Sequence, residues 1–85
     1  MTVDVIEFQP FASRVGVDTV LALKSGYDPE LVETVKEGLA DARQWAGVKN
    51  PGGWLRDRRL WFVEHAAWPY VRDLLEARGH TVREL

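Results

Sequence analysis

Between Thr19 and Leu39 the apolar pattern changes period once, across a break that closes a strand and opens a helix. Thr19-Val20-Leu21-Ala22-Leu23-Lys24 is a short apolar run ended by Ser25-Gly26, the composition of a β-strand. Asp28 then offers an N-cap side chain, Pro29 suits the first helical position, and Glu30 suits the positive end of the helix dipole. Leu31, Val32, Val35 and Leu39 follow at helical spacing on one face. Gly38 stands where a C-cap glycine is expected to end that helix. A strand and a helix made this close together each have one apolar face to hide. Stacking helix on sheet is the simplest way to hide both.

The flanks extend the pattern. Val3, Val5 and Phe8 alternate with Asp4 and Glu7, which predicts a short strand or ordered arm ended by Pro10. The stretch 11–17 is ambiguous, and Gly16 suggests a turn. The segment 42–48 around Trp45 reads as a strand, and Asn50-Pro51-Gly52-Gly53 is the strongest turn signal in the chain. The segment 54–63 reads as the returning strand of a β-hairpin, apolar at Leu60, Trp61, Phe62 and Val63. A second helix is predicted from Trp68-Pro69, with Val71, Leu74, Leu75 and Arg78 sharing a face, and Gly79 stops it. Residues 80–85 add a last short strand through Val82. The order β(β)αββα(β) implies an α+β fold. It is a small two-layer sandwich, an antiparallel or mixed sheet with two helices on one face. The other face is expected to be open to solvent and available for binding.

With 85 residues the chain is expected to form one domain spanning 1–85, with 1–18 as an N-terminal strand or arm and 19–85 as the core. There is no Cys, which excludes disulfides and thiolate chemistry. No apolar run approaches the roughly 20 residues of a membrane span. The start, Met1-Thr2-Val3-Asp4-Val5, is acidic and alternating, unlike a secretory signal. A cytoplasmic location and no membrane contact are the expectations.

Catalytic constellations are nearly absent. His65 and His80 stand at opposite ends of the second helix segment, about 20 Å apart if it is helical, too far to share a metal. Glu64 and His65 are adjacent and diverge on a strand. Ser13 and Ser25 have no partnered base in view. The glycines of 50–53 lack the Lys and Ser/Thr of a phosphate loop. The expectation is a protein that binds something, with no enzymatic activity, no cofactor and no metal.

The net charge is −2, but it is unevenly spread. Residues 1–41 carry eight acids and three bases, whereas 42–62 carry Arg43, Lys49, Arg56, Arg58 and Arg59 against Asp57 alone. Trp45, Trp54 and Trp61 fall within that basic stretch. Aromatic faces stack bases and cations track phosphates, so the segment supplies both parts of a single-strand binding surface. The candidate nucleic-acid-binding residues are Arg43, Lys49, Trp54, Arg56, Arg58 and Arg59. Alternation leaves open which face of the hairpin is wet: either Leu60 and Phe62 are core and Trp61 is exposed, or Trp61 is core and Trp45 accompanies it. Trp54 is the tryptophan expected to be exposed, and Trp68 the one expected to be buried at the helix start.

Three short motifs carry a family resemblance. They are Ser25-Gly26-Tyr27-Asp28-Pro29-Glu30-Leu31, Arg43-Gln44-Trp45 and Arg59-Leu60-Trp61-Phe62-Val63, followed by Tyr70, Leu74, Leu75 and Gly79. Over about residues 21–82 the chain resembles the HARP domain, the accessory module found beside Swi/Snf-type annealing-helicase motors. The resemblance implies that Arg43, Trp45, Arg59 and Trp61 lie on paired strands, and that the partner is single-stranded or forked DNA. A different class of function is a protein-interaction factor, of the kind phages and mobile elements encode, that binds or inhibits a host protein through its acidic or aromatic surface. Edge strands of a small open sheet also offer a route to a homodimer.

Overall fold

A computed structural model describes residues 2–8, 19–26 and 28–84. The elements are β1 (Thr2–Phe8), β2 (Val20–Lys24), α1 (Pro29–Trp45), β3 (Gly52–Leu55), β4 (Leu60–Val63), α2 (Trp68–Ala77) and β5 (Thr81–Glu84). The stretch 11–17, Pro10, Ser13, Gly16, Tyr27 and Leu85 lie outside the described residues. The fold is α+β, with a mixed five-stranded sheet ordered β3-β4-β2-β1-β5. β1 and β5 pair in parallel; the other three pairings among the described residues are antiparallel. The N-terminal residues 2–8 are therefore an interior strand of the sheet.

Both helices lie on one face, as expected, and chirality explains why. α1 joins β2 to β3 and α2 joins β4 to β5, and each is a crossover between strands that run the same way. β2 and β4 are antiparallel, and their crossovers travel in opposite directions along the sheet. Two right-handed crossovers of that kind must place their helices on the same side.

The core lies between this helical layer and the sheet. Val3 and Val5 of β1, Leu23 of β2 and Val63 of β4 meet Leu31, Val35, Leu39 and Ala42 of α1 and Trp68, Val71 and Leu75 of α2. Full burial of an aliphatic side chain of this size contributes about 1.5–3 kcal/mol. Trp61 packs at the margin of the same cluster, which settles the hairpin alternatives: Trp61 faces the helices, and Leu60 and Phe62 face away. Trp45 does not accompany it.

α1 is longer than its sequence suggests. Gly38 does not end it; the helix runs on through Asp41-Ala42-Arg43-Gln44 to Trp45. It ends at Gly47, which has a φ of 67°. Gly38 is instead the point where α1 crosses α2. A Cβ there would stand 2.7 Å from the Val71 Cα. The segment 42–48 is thus helix and loop rather than strand, and the hairpin is built further along the chain. Gly52 and Gly53 belong to β3, and the tip is Arg56-Asp57-Arg58-Arg59. Gly52 has a backbone reason to be glycine, since a Cβ on it would overlap the Phe62 carbonyl oxygen. Local turn propensity at 50–53 yields to this close strand pairing.

The face opposite the helices is less open than expected. Ala22 stands across from both Ile6 and Phe62, and Val20 across from Phe8. The larger side chains overhang the smaller ones. Val20 and Ala22 are consequently buried, while Ile6, Phe8, Leu55 and Phe62 are half-buried.

Polar contacts stitch the elements together at defined points. Thr34, fully buried in α1, donates to the Glu30 carbonyl and accepts from Arg78 beyond α2. Arg78 also pairs with Glu37, which offsets the like-charge spacing of Glu33 and Glu37. Trp68 Nε1 donates to Glu84 Oε1 at 2.8 Å, tying the start of α2 to β5. Arg83 grips Asp4 through both carboxylate oxygens, at 2.7 and 3.0 Å, and holds edge strand β5 to β1. His80 is buried, with neither ring nitrogen hydrogen-bonded among the described residues. Leaving such a group unpaired costs about 1–3 kcal/mol.

These pairs make folding acid-sensitive. The hydrogen bond from Arg83 holds the Asp4 carboxyl below its ordinary range, and that from Arg78 does the same for Glu37. Both pKa values are depressed by folding. Their stabilisation is therefore complete above the unfolded carboxylate values of about 4, and is lost as pH falls through the lower folded values. The Asp4→Asn, Glu37→Gln double variant is expected to be less stable at neutral pH and to show a flatter acid limb in urea unfolding. An unchanged acid limb would place the acid sensitivity elsewhere.

Candidate functional site

The hairpin carries its side chains to two different places. β3 and β4 pair with Trp54 opposite Trp61, and Trp61 stands opposite Leu23 of β2. All three therefore point to the helical side. The two indoles meet edge to face, with centroids 5.7 Å apart and planes inclined at 61°. β3 is the edge strand. Five strands about 4.8 Å apart are wider than two packed helices can roof completely, so the edge overhangs α1.

That overhang forms a groove of about 560 Å³, within the usual range for ligand sites. Leu23, Leu31, Val32, Leu60 and Trp61 are the apolar residues that border it, while Trp54, Lys36 and Arg59 are its exposed aromatic and cationic members. Ser25, Gly26 and Asp28, in the β2–α1 connection, border it as well. Trp54 is exposed as expected, at 49%, but because β3 is an edge strand and not because of a turn at 50–53, and Trp45 is the more exposed indole. Val32 turns to the groove because it lies off the buried stripe of Leu31, Thr34, Val35, Gly38, Leu39 and Ala42.

The tip arginines divide between the two faces. Arg59 has a φ of 52°, a left-handed conformation that costs a side chain about 1–2 kcal/mol, and it borders the groove. Arg58 lies over the Phe8 ring, 5.9 Å from its centroid, on the opposite face. Arg56 is exposed at the tip. Among the described residues none of these three forms an ion pair.

Two of the candidate residues are not on the hairpin. Arg43 lies in the last turn of α1 and Lys49 in the loop that follows. Arg43 is seven residues beyond Lys36, about 10 Å further along the helix. Trp45, at the helix end, is 71% exposed and takes no part in the groove. The strand placement implied by the family resemblance therefore holds for Trp61 alone. Arg43 and Trp45 are helical, and Arg59 is in the turn before β4. The misplacement has a simple cause: Arg43-Gln44-Trp45 alternates like a strand, yet continues a helix already nucleated and packed. Sequence reasoning also missed Lys36 and Asp28 as groove residues. Lys36 is one turn beyond Val32, on the same flank of α1, and that spacing is the signal that could have found it.

Catalytic groupings do not assemble among the described residues. The Thr19 hydroxyl donates to Glu7 Oε1 at 2.8 Å and lies 3.3 Å from His65 Nε2. With its single proton donated to Glu7, the Thr19 hydroxyl is not aimed at His65. No group of three His, Cys, Asp or Glu side chains converges among the described residues. Nor is any described helix long and apolar enough to cross a membrane.

No family model, curated protein or solved structure matches the chain.

Proposed function

We propose that this protein is a non-catalytic nucleic-acid-binding module that takes single-stranded or branched DNA at the β3–β4 hairpin. The observation that carries the proposal is the half-exposed Trp54 beside an apolar groove, with Lys36 and Arg59 at its lip. An unstacked base gains about 1–3 kcal/mol on an aromatic face of this kind. Flanking phosphates would meet the groove cations first, with Arg56 at the tip and Arg58 on the opposite face meeting a strand that continues around the hairpin. Duplex DNA keeps its bases stacked and has no such use for the groove, which favours single strands and forks.

The test is a tryptophan-fluorescence titration with a dT oligonucleotide across a range of salt. Saturable quenching that weakens with salt is expected. The Arg58→Ala, Arg59→Ala double variant should bind more weakly, and its log–log salt slope should be shallower by about 1.4, roughly 0.7 for each phosphate that the variant no longer neutralises. Equal affinity and slope in the variant would count against the proposal.

The half-buried apolar side chains of Ile6, Phe8, Leu55 and Phe62 favour a second function, docking of a protein on the face opposite the helices. Stoichiometric capture of a protein that survives nuclease treatment would support that function over DNA binding.

A further inference from the structure

We infer that the groove is selective for guanine, with Asp28 and Arg59 reading two edges of the base while Trp54 stacks its face. This rests on the nucleic-acid function proposed above and specifies what the same groove recognises. Asp28 borders the groove at the β2–α1 connection. One carboxylate oxygen accepts from the Glu30 N–H at 3.0 Å. The other has no hydrogen-bond or ion-pair partner among the described residues. A carboxylate has about four acceptor positions and no proton to donate, so it selects ligands that present N–H groups.

Arg59 borders the same groove, and no ion pair joins it to Asp28 among the described residues. β4 runs antiparallel to β2 with Trp61 opposite Leu23. Arg59, two residues before Trp61, is therefore brought beside the C-terminal end of β2, close to where Asp28 caps α1. A pure acceptor and a forked donor thus border the same groove. Lys36 stands two helical turns beyond Asp28, about 12 Å along α1, where a phosphate would fall.

Of the four DNA bases, guanine alone satisfies both groups twice over. Its N1–H and N2–H₂ are adjacent donors that match a carboxylate. Its O6 and N7 are adjacent acceptors that match a guanidinium fork. Thymine offers one N–H between two carbonyls. Adenine has one amino group between two ring acceptors, N1 and N7, and cytosine has one amino group followed by N3 and O2, so neither offers two adjacent donors to the carboxylate.

The test uses four nine-residue oligonucleotides, dT with a single central G, A, C or T, titrated against the full chain and its Asp28→Asn variant. Asn caps a helix about as well as Asp, so the variant should melt with the parent protein. The G oligonucleotide is expected to bind the parent roughly a hundredfold more tightly than the all-T one, about tenfold for each of two bidentate pairs. In Asp28→Asn that preference should fall to the roughly tenfold that Arg59 alone supplies, while all-T binding is retained. Equal binding of all four by the parent, or an undiminished preference in the variant, overturns guanine selectivity and leaves nucleic-acid binding standing. Failure of all four to bind overturns both.

Discussion

Replacing Trp54 by Ala is expected to weaken single-stranded DNA binding about thirtyfold, or about 2 kcal/mol, and to leave the domain folded. The size follows from the stacking contribution of one aromatic side chain, about 1–3 kcal/mol per base. The small structural cost follows from position. Trp54 is 49% exposed on edge strand β3, and its aromatic contact among the described residues is with Trp61. Losing that pair costs about 0.5–1.5 kcal/mol beyond buried area. Trp45→Ala is the matched control, because Trp45 is 71% exposed yet lies at the far end of α1. Stickiness of exposed indoles would make the two variants equal. A groove that stacks a base makes only Trp54 matter. If Trp45→Ala is the damaging change, the binding surface lies at the end of α1 with Arg43 and Lys49, and the hairpin is not the site.

The largest effect on stability is expected from Gly38→Leu, a loss of about 3 kcal/mol and a fall in melting temperature of about 15 °C for a domain of this size. Glycine inside a helix is ordinarily a defect, and Ala in its place gains about 1 kcal/mol. At Gly38 the sign reverses. A Cβ would lie 2.7 Å from the Val71 Cα and 2.8 Å from its Cγ2. The closer of these atoms is backbone, so trimming Val71 to Ala cannot make room, and the helices must separate. Separation would loosen Leu39 and Leu75 and pull Thr34 from Arg78, the polar stitch between the helices. Thermal melting followed by circular dichroism checks this. A variant melting with the parent would mean that the α1–α2 crossing can widen at little cost.

The two expectations differ in how far the amino-acid order reveals them. Trp54 is legible as an exposed indole, because its neighbours Gly52, Gly53 and Arg56 offer nothing to bury it. Gly38 is not legible as a helix crossing. Its role depends on Val71, which lies far along the chain and meets it only after two crossovers.

Local chemistry determined the order of the elements and the type of most of them. Period-two alternation at Val3–Phe8, the cap at Asp28-Pro29-Glu30, the start at Trp68-Pro69 and the stop at Gly79 are short-range steric and hydrogen-bonding effects, and each is realised in the fold. Those elements, with the chirality of crossovers, also account for two helices on one face. Tertiary packing decided the rest. It carried α1 past Gly38 to Trp45, moved the hairpin tip from 50–53 to 56–59, and sent Arg43 and Lys49 away from Arg59. It also brought Lys36 and Asp28 beside Trp54. A helix end, a strand register and a groove each depend on which distant surface is available to bury against. That free energy belongs to pairs of residues remote in the chain, and no local propensity contains it.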